Sequence, residues 1–124
     1  MLFDERYNEI LENSSATYSE KGSKFIAYSF CVYSEKDIKT SINTIKSKEP
    51  SANHYCYAYV LHPDKSIYRM NDDGEPSSTA GRQIFKEIQK LELTNILIVV
   101  VRYFGGIKLG IPGLIKAYKT ISSL

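Results

Sequence analysis

Three carboxylates within four positions form the first group of residues in this sequence that could do chemistry. Asp72, Asp73 and Glu75 lie in the segment NDDGEPSSTAGR, residues 71–82, which we name the acidic loop. Carboxylate oxygens at such close spacing could bind a hard cation such as Mg²⁺, or could meet a basic partner. Asn, Asp, Gly and Pro also build turns, and Ser or Thr caps a following helix. Because the spacing is not that of an EF-hand loop, we favour the turn and predict neither a metal site nor a bound cofactor.

The second candidate group is a glycine-rich segment that carries two cations. Residues 102–113, with the sequence RYFGGIKLGIPG, are named the glycine loop, and they include Arg102, Gly105, Gly106, Lys108 and Gly110. Glycines let backbone N–H groups converge on an anion, and a following helix N-terminus adds partial positive charge. The segment could therefore bind a phosphate or a nucleic-acid backbone, although it matches neither a Walker loop nor a GxGxxG fingerprint. A tight strand-to-helix connection, with a proline or glycine in the first helical turn, explains it equally well.

The remaining candidate residues favour structural roles. His54 has no Asp, Glu or Cys at ligand spacing, so the pattern predicts neither a metal site nor a catalytic triad around it. Tyr55, Tyr57 and Tyr59 alternate along one segment and could stack on nucleic-acid bases. Such a stripe is more often the half-buried face of a sheet, and we favour that interpretation.

The composition excludes several classes of protein. The chain has 124 residues and a net charge of +2, too close to neutral to indicate nucleic-acid binding by net charge alone. The positive charge is nevertheless concentrated, because no acidic residue follows Glu92 whereas four basic residues do. The longest apolar run, Ile96 to Val101, is far shorter than a bilayer-spanning segment, and the acidic N-terminus does not resemble a secretion signal. With two cysteines and no CxxC pair, we expect reduced thiols, a cytoplasmic location and no membrane partner.

Local sequence patterns place both loops between regular elements. Alternating or continuous apolar residues predict strands, and apolar residues at spacings of three and four predict helices. The predicted strands are residues 14–20, 24–33, 54–61, 66–70 and 96–103, and the predicted helices follow residue 34, span about 79–90 and follow the glycine loop. The order ββαββαβα predicts an α+β domain over residues 1–124, a two-layer sandwich with a mixed four- to five-stranded sheet and helices on one face. The strand predicted at residues 96–103 is continuously apolar over its first six residues, so we expect it to be central and covered.

Four segments together resemble one family closely. Asn71–Arg82 and Val99–Gly110, with Gly22–Ala27 and His54–Tyr59 upstream, look like the corresponding segments of the IMPACT/YigZ family. The resemblance covers nearly the whole chain and implies a fold similar to the second domain of a small-subunit ribosomal protein. It also implies a link to translation regulation, with RNA, the ribosome or a translation-associated protein as the partner.

The same resemblance has implications for domain organisation and for particular residues. Bacterial family members commonly carry a second, ferredoxin-like domain, and we predict none within residues 1–124, so we expect either a single-domain member or a fragment. Ile111 and Pro112 stand where the family tends to have a small residue and glycine, and Tyr55 stands where a second histidine is frequent. No oligomeric state is predicted.

We carry three functional hypotheses forward. In the first, a translation-linked regulatory module contacts phosphates through Arg82, Arg102 and Lys108, with Gly105, Gly106 and Gly110 around them. In the second, an enzyme acts on a phosphorylated small molecule or nucleotide, and the acidic loop holds a Mg²⁺-type cation; no nucleophile–base pair is visible, so we favour a non-enzyme. In the third, the mixed-charge surface binds a protein. All three lead us to expect that the acidic loop and the glycine loop lie close together.

Overall fold

Five strands and three helices follow one another in the predicted order. The computed structural model describes residues 8–124, and among these no helix is long and apolar enough to cross a membrane. The strands are β1 (Ser14–Glu20), β2 (Ser23–Cys31), β3 (His54–Leu61), β4 (Ile67–Asn71) and β5 (Ile96–Tyr103). The helices are α1 (Glu35–Lys48), α2 (Gly81–Lys90) and α3 (Gly110–Ser122). The α+β class and the order ββαββαβα are confirmed.

The sheet is antiparallel throughout, so the prediction of a mixed sheet is wrong. Its spatial order is β1-β2-β5-β3-β4, and every neighbouring pair runs antiparallel. The crossover through α1 does bring β3 parallel to β2, and the crossover through α2 brings β5 parallel to β4. In both cases another strand lies between the two parallel strands and runs opposite to them. A helical crossover in the sequence therefore indicates parallel strands but does not make them neighbours.

Helices cover both faces of the sheet, so the prediction of helices on one face is also wrong. The α2 and α3 helices pack on the face that carries Ile98 and Val100 of β5, whereas α1 packs on the face that carries Leu97 and Val99. The reason lies in β5. Its side chains from Ile96 to Val101 are apolar on both faces of the sheet, and every residue from Ile96 to Arg102 is buried. A strand of this kind needs cover on both faces. Its predicted central position is confirmed.

Tyrosines anchor α1 to its face of the sheet. The Glu49 carboxylate, just past the end of α1, accepts hydrogen bonds from the hydroxyls of Tyr28 and Tyr103, and the Glu49 carbonyl accepts one from Tyr55. The hydrogen bonds from Tyr103 and Tyr28 lower the pKa of the Glu49 carboxyl. Burial raises the pKa of Tyr28 to about 12, and the hydrogen bond to Glu49 raises the pKa of Tyr103 to about 12.

The predicted tyrosine stripe of β3 lies on this same face. Tyr59 is buried, while Tyr55 and Tyr57 are half-buried against the apolar cluster that α1 covers. The rings of Tyr57 and Tyr59 stack with their centroids 6.3 Å apart. The interpretation of the stripe as a half-buried sheet face is confirmed.

The turn between β1 and β2 lies directly against the start of the glycine loop. A Cβ atom placed on Gly105 would lie 2.0 Å from the carbonyl carbon of Gly22 and 2.5 Å from the amide nitrogen of Ser23. No side chain fits at such distances, because both neighbours are backbone atoms. Gly105 therefore lets two backbone segments touch, and that contact fixes the glycine loop to the β1–β2 turn.

We expect Gly105→Ala to destabilise the protein more than the adjacent substitution Gly106→Ala. Gly105→Ala forces backbone apart and should cost about 3 kcal/mol of unfolding free energy. Gly106 has φ +89° with open space around it, so Gly106→Ala should cost only the backbone strain, about 1 kcal/mol. Thermal melts would show the difference as roughly 4 °C of melting temperature per kcal/mol. Equal losses in the two variants would contradict the close contact.

Candidate functional site

The acidic loop and the glycine loop meet at a buried ion pair. Nη1 of Arg102, near the end of β5, lies 2.9 Å from both carboxylate oxygens of Glu75. Arg102 is 5% exposed and Glu75 is 7% exposed, so the pair lies inside the protein. The expectation that the two loops lie close together is confirmed for Glu75.

Neighbouring polar groups add hydrogen bonds to this pair. The Tyr118 hydroxyl of α3 donates to Oε2 of Glu75, and Nη2 of Arg102 donates to Oγ of Ser23 at 3.3 Å. Nε2 of His54 lies 3.6 Å from Oε1 of Glu75. Three strands, one helix and the acidic loop thus converge on one ion pair. Hydrogen bonds of this kind offset part of the cost of burying two charges.

One donor of the pair has no partner among residues 8–124. Both oxygens of Glu75 approach the same terminal nitrogen of Arg102, and Nε of Arg102 is buried with no hydrogen-bond acceptor in this part of the chain. The rings of Phe25 and Phe104 flank the guanidinium, with their centroids 5.6 and 5.7 Å from its central carbon. Aromatic faces attract the cation but do not replace a hydrogen bond. An unpaired buried donor costs about 1–3 kcal/mol.

Asp72 holds the acidic loop and the start of α2 together. Its carboxylate accepts backbone N–H bonds from Ser78 at 2.9 Å, from Ala80 at 3.2 Å and from Gly81 at 2.9 Å. The first N–H groups of a helix have no partner inside the helix, and here a carboxylate eight or nine residues upstream supplies one. Asp72 thus serves as the acceptor that Ser or Thr was expected to provide.

Asp73 ties the acidic loop to the first residues of β3. Its carboxylate accepts the Tyr55 N–H at 2.7 Å, and its backbone carbonyl accepts a hydrogen bond from Nδ1 of His54 at 2.8 Å. All three carboxylates of the acidic loop therefore accept hydrogen bonds from the protein itself. Among residues 8–124, no group of three or more His, Cys, Asp or Glu side chains is placed to hold a metal ion.

The buried thiol beside this network is not placed to react. Cys56 is fully buried, and its Sγ lies 3.1 Å from the Asp72 carbonyl oxygen and 3.4 Å from the Tyr118 hydroxyl. Burial raises the pKa of the Cys56 thiol, and burial likewise raises the pKa of Tyr118. A nucleophile needs an accessible thiolate, so this arrangement favours structure over covalent chemistry.

The predicted phosphate-contacting residues occupy different environments. Arg102 is buried against Glu75, and Gly105 contacts the β1–β2 turn. Lys108 is exposed in the glycine loop, and Arg82 is exposed in the first turn of α2. Gly106 has open space around it, and Gly110 begins α3. Phosphate contact by these six residues stays a prediction.

A cleft of about 360 Å³ opens between the two loops. Pro76 and Glu75 form one side, the glycine loop and the start of α3 form the other, and Arg102 lies between them. The glycine loop also exposes three large apolar side chains: Phe104 at 48%, Ile107 at 55% and Ile111 at 57%. Sequence patterns did not single out Phe104, Ile107 or Tyr118, and they marked Ile111 only as a departure from the family pattern. The sequence signal for an exposed apolar surface was the presence of large apolar residues in a glycine-rich segment, where side chains have little to pack against.

The family model described as the Impact N-terminal domain matches residues 21–124. The IMPACT family member YvyE of Bacillus subtilis is 45% identical over 101 residues, which are 81% of this chain and 46% of that protein. The chain thus spans about half the length of the curated relatives it matches, of which YvyE is one.

Two solved structures share the fold. A crystal structure described as that of a hypothetical protein superimposes with a TM-score of 0.88 at 31% identity, over 92% of this chain and 56% of that one. The two-domain translational regulator Yih1 superimposes with a TM-score of 0.56 at 23% identity, over 98% of this chain and 49% of that one. At that identity, the second likeness concerns the fold alone.

Breaking the buried ion pair should cost far more than removing the exposed cation of the same loop. Glu75→Gln leaves the Arg102 charge buried without a counter-ion and should lower the unfolding free energy by about 3–5 kcal/mol. The double variant Arg102→Met/Glu75→Gln should lose at least about 1 kcal/mol less than the sum of the single variants. Lys108→Ala should change stability by less than about 0.5 kcal/mol. Urea unfolding measures each variant, and additive losses would contradict the coupling.

Asp72→Asn should destabilise the protein without changing any response to divalent cations. Losing the carboxylate acceptor at the start of α2 should cost about 1–2 kcal/mol. Glu12→Gln removes one negative charge at an exposed position and serves as the control. Melting temperatures would be measured with and without millimolar Mg²⁺ or Ca²⁺. A rise with cation that disappears in Asp72→Asn would show a metal site instead, because ligand binding stabilises the folded state.

Proposed function

The chain belongs to the IMPACT family, and on that premise we propose that it is a translation-regulating module that acts by binding a protein of the translation machinery. The proposed contact surface is the exposed part of the glycine loop, with Phe104, Ile107 and Ile111 as apolar contacts and Lys108 beside them. Binding rather than catalysis is proposed, and the cytoplasm is the proposed location.

The exposure of three large apolar side chains on one loop carries the proposal. Each of Phe104, Ile107 and Ile111 leaves about half of its surface in water, and all three lie within eight residues of one loop; exposed apolar side chains that cluster in this way support an interaction site. Protein interfaces have such an apolar centre with a charged rim. Lys108 would supply a rim charge and would favour an acidic partner surface.

The buried residues support binding over chemistry and favour a protein over a nucleic acid. The Arg102 charge is neutralised by Glu75, so among the described residues Lys108 is the one exposed cation of the glycine loop. Phosphate recognition depends on several cations that each contact a backbone phosphate. A single exposed lysine among three apolar side chains is a better match for a protein surface.

The comparisons support the link to translation. Yih1, whose structure shares this fold, is described as a translational regulator. That description applies to Yih1, and we extend the role to this chain through family membership. RNA or ribosome binding, the other form of the translation hypothesis, is retained as an outcome of the experiment below.

Photo-crosslinking from the glycine loop would test the proposal. A benzoylphenylalanine residue would replace Ile107, which is 55% exposed, and in a matched control would replace Leu91, which is 54% exposed and lies at the end of α2. In a translating cell lysate, we expect nuclease-resistant adducts with a ribosomal protein or translation factor from position 107 and not from position 91. Adducts that disappear with nuclease, or that contain only proteins unrelated to translation, would contradict the proposal.

A reporter assay would connect binding to regulation. Purified protein added to the same lysate should change reporter synthesis in a concentration-dependent way. The variant Phe104→Ser/Ile111→Ser should lose at least about tenfold in apparent affinity, since truncated central contacts of an interface cost more than about 1 kcal/mol each. Lys119→Gln, at an exposed position in the last turn of α3, should behave as wild type. Equal effects of the loop variant and the wild type would contradict the proposed surface.

A further inference from the structure

The outer edge of β4 differs from that of β1, the strand at the opposite end of the sheet. β4 is last in the sheet order, so among residues 8–124 no strand pairs with its outer side. Three side chains of β4 are large, apolar and exposed: Ile67 at 37%, Tyr68 at 58% and Met70 at 37%. Within Ser14–Glu20, the described residues of β1, no large apolar side chain is exposed. An apolar edge strand is a template for pairing with another chain.

The backbone of β4 directs hydrogen-bonding groups to this outer side. The Tyr55 N–H donates to the Asp73 carboxylate, on the β4 side of β3. Because the N–H and C=O groups of a strand point alternately to its two neighbours, every second residue of β3 faces β4, and a partner such as Arg69 faces back. The N–H and C=O groups of Tyr68 and Met70 therefore point outward, where no strand of the described chain lies.

An apolar cavity lies beside β4 on the face of the sheet that α2 covers. The rings of Tyr68 and Phe85 stack with their centroids 5.2 Å apart, and both rings line the cavity, whose volume is about 400 Å³. Ile88 extends the apolar wall, while Lys65 and Glu92 contribute opposite charges. The cavity thus favours apolar side chains over charged ones.

The groove beside β4 on the face covered by α1 carries positive charge. Its volume is about 200 Å³, and it lies between α1 and the side chains of Tyr57 and Arg69. Arg69 and Lys39 line it against one acidic residue, Glu35. Within residues 8–124 no ion pair holds Arg69 or Lys39. An acidic side chain placed opposite Arg69 on a neighbouring strand would therefore be stabilised.

We propose that the outer edge of β4 binds an extended protein segment with alternating apolar and acidic side chains, which adds a sixth strand to the sheet. Its main chain forms hydrogen bonds with Tyr68 and Met70. Because successive side chains of a strand point to opposite faces, the apolar ones contact the cavity beside α2 and the acidic ones contact Arg69. This surface shares no residue with the glycine loop, so the inference goes beyond the proposed function and does not depend on it.

A second copy of this chain matches the edge less well than an acidic segment does. Residues 65–71 contain Lys65 and Arg69 and no acidic residue. The β4 strand of a second copy would therefore bring further positive charge to the edge and no acidic side chain. Like charges on neighbouring strands destabilise their pairing. Self-pairing is the alternative that the experiment excludes.

Amide hydrogen exchange of the ¹⁵N-labelled chain, followed by nuclear magnetic resonance, tests the added strand. The probe is a capped seven-residue peptide with aspartate at odd positions and valine, phenylalanine and valine at even ones. The control peptide has the same composition, with two aspartates at each end. With the probe, we expect saturable shifts and at least about fivefold slower exchange at the amides of Tyr68 and Met70. Exchange at Arg69, whose N–H already faces β3, should not change, and the control peptide should bind at least about fivefold more weakly.

Two variants with matched controls locate the contact. Met70→Pro removes an outward N–H and no bond of the β3–β4 ladder, so it should abolish binding. Thr17→Pro, at a position of β1 that by the same alternation faces away from β2, should keep it. Arg69→Glu leaves the backbone intact. It should weaken the probe about fivefold and strengthen a peptide with lysine in place of aspartate, whereas Lys119→Glu, in the last turn of α3, should do neither.

Three results would overturn the proposal. The first is unchanged exchange at Tyr68 and Met70 with the probe, and the second is equal binding of the probe by Arg69→Glu and wild type. The third is protection of the same amides that rises with protein concentration in the absence of peptide, which would assign the edge to a second copy. Crosslinking from position 107 reports on the glycine loop, so either proposal can fail while the other holds.

Discussion

The buried pair of Arg102 and Glu75 is the interaction on which the arrangement of this protein depends. It joins the central strand to the acidic loop, and Tyr118, Ser23 and His54 bring α3, β2 and β3 to the same two side chains. A charge inside a protein is tolerated only with its partner present. The segments that carry these residues must therefore fold together, and the positions of both loops follow from that requirement.

The pairing of these charged groups inside the protein determines which groups stay exposed for binding. The three carboxylates of the acidic loop accept hydrogen bonds within the protein, and the arginine near the end of β5 is neutralised. The surface that is left combines one exposed lysine with exposed apolar side chains of the glycine loop, beside a cleft of about 360 Å³. Pairing of the charges inside the protein thus leaves a surface suited to binding.

The sequence predicted much of the fold, and its errors have a common cause. Element order, the central position of β5 and the half-buried tyrosines depend on local periodicity, which reflects which side of a strand or helix is apolar. The predictions of a mixed sheet and of helices on one face were wrong, because both features depend on which strands become neighbours. The apolar run of β5 already implied cover on both faces, and that signal could have corrected the second error.

For the candidate site, the sequence alone determined the two loops, their resemblance to the IMPACT family and the expectation that they meet. Residue type and spacing are enough for this, because turns, glycine-rich segments and charges are local properties. Only the tertiary structure decided that Arg102 is paired and buried while Lys108 is exposed, and that Asp72 accepts N–H groups at the start of α2. It also decided that Nε of Arg102 has no acceptor within residues 8–124. The availability of a charge depends on burial and on partners distant in sequence, and 27 residues separate Glu75 from Arg102.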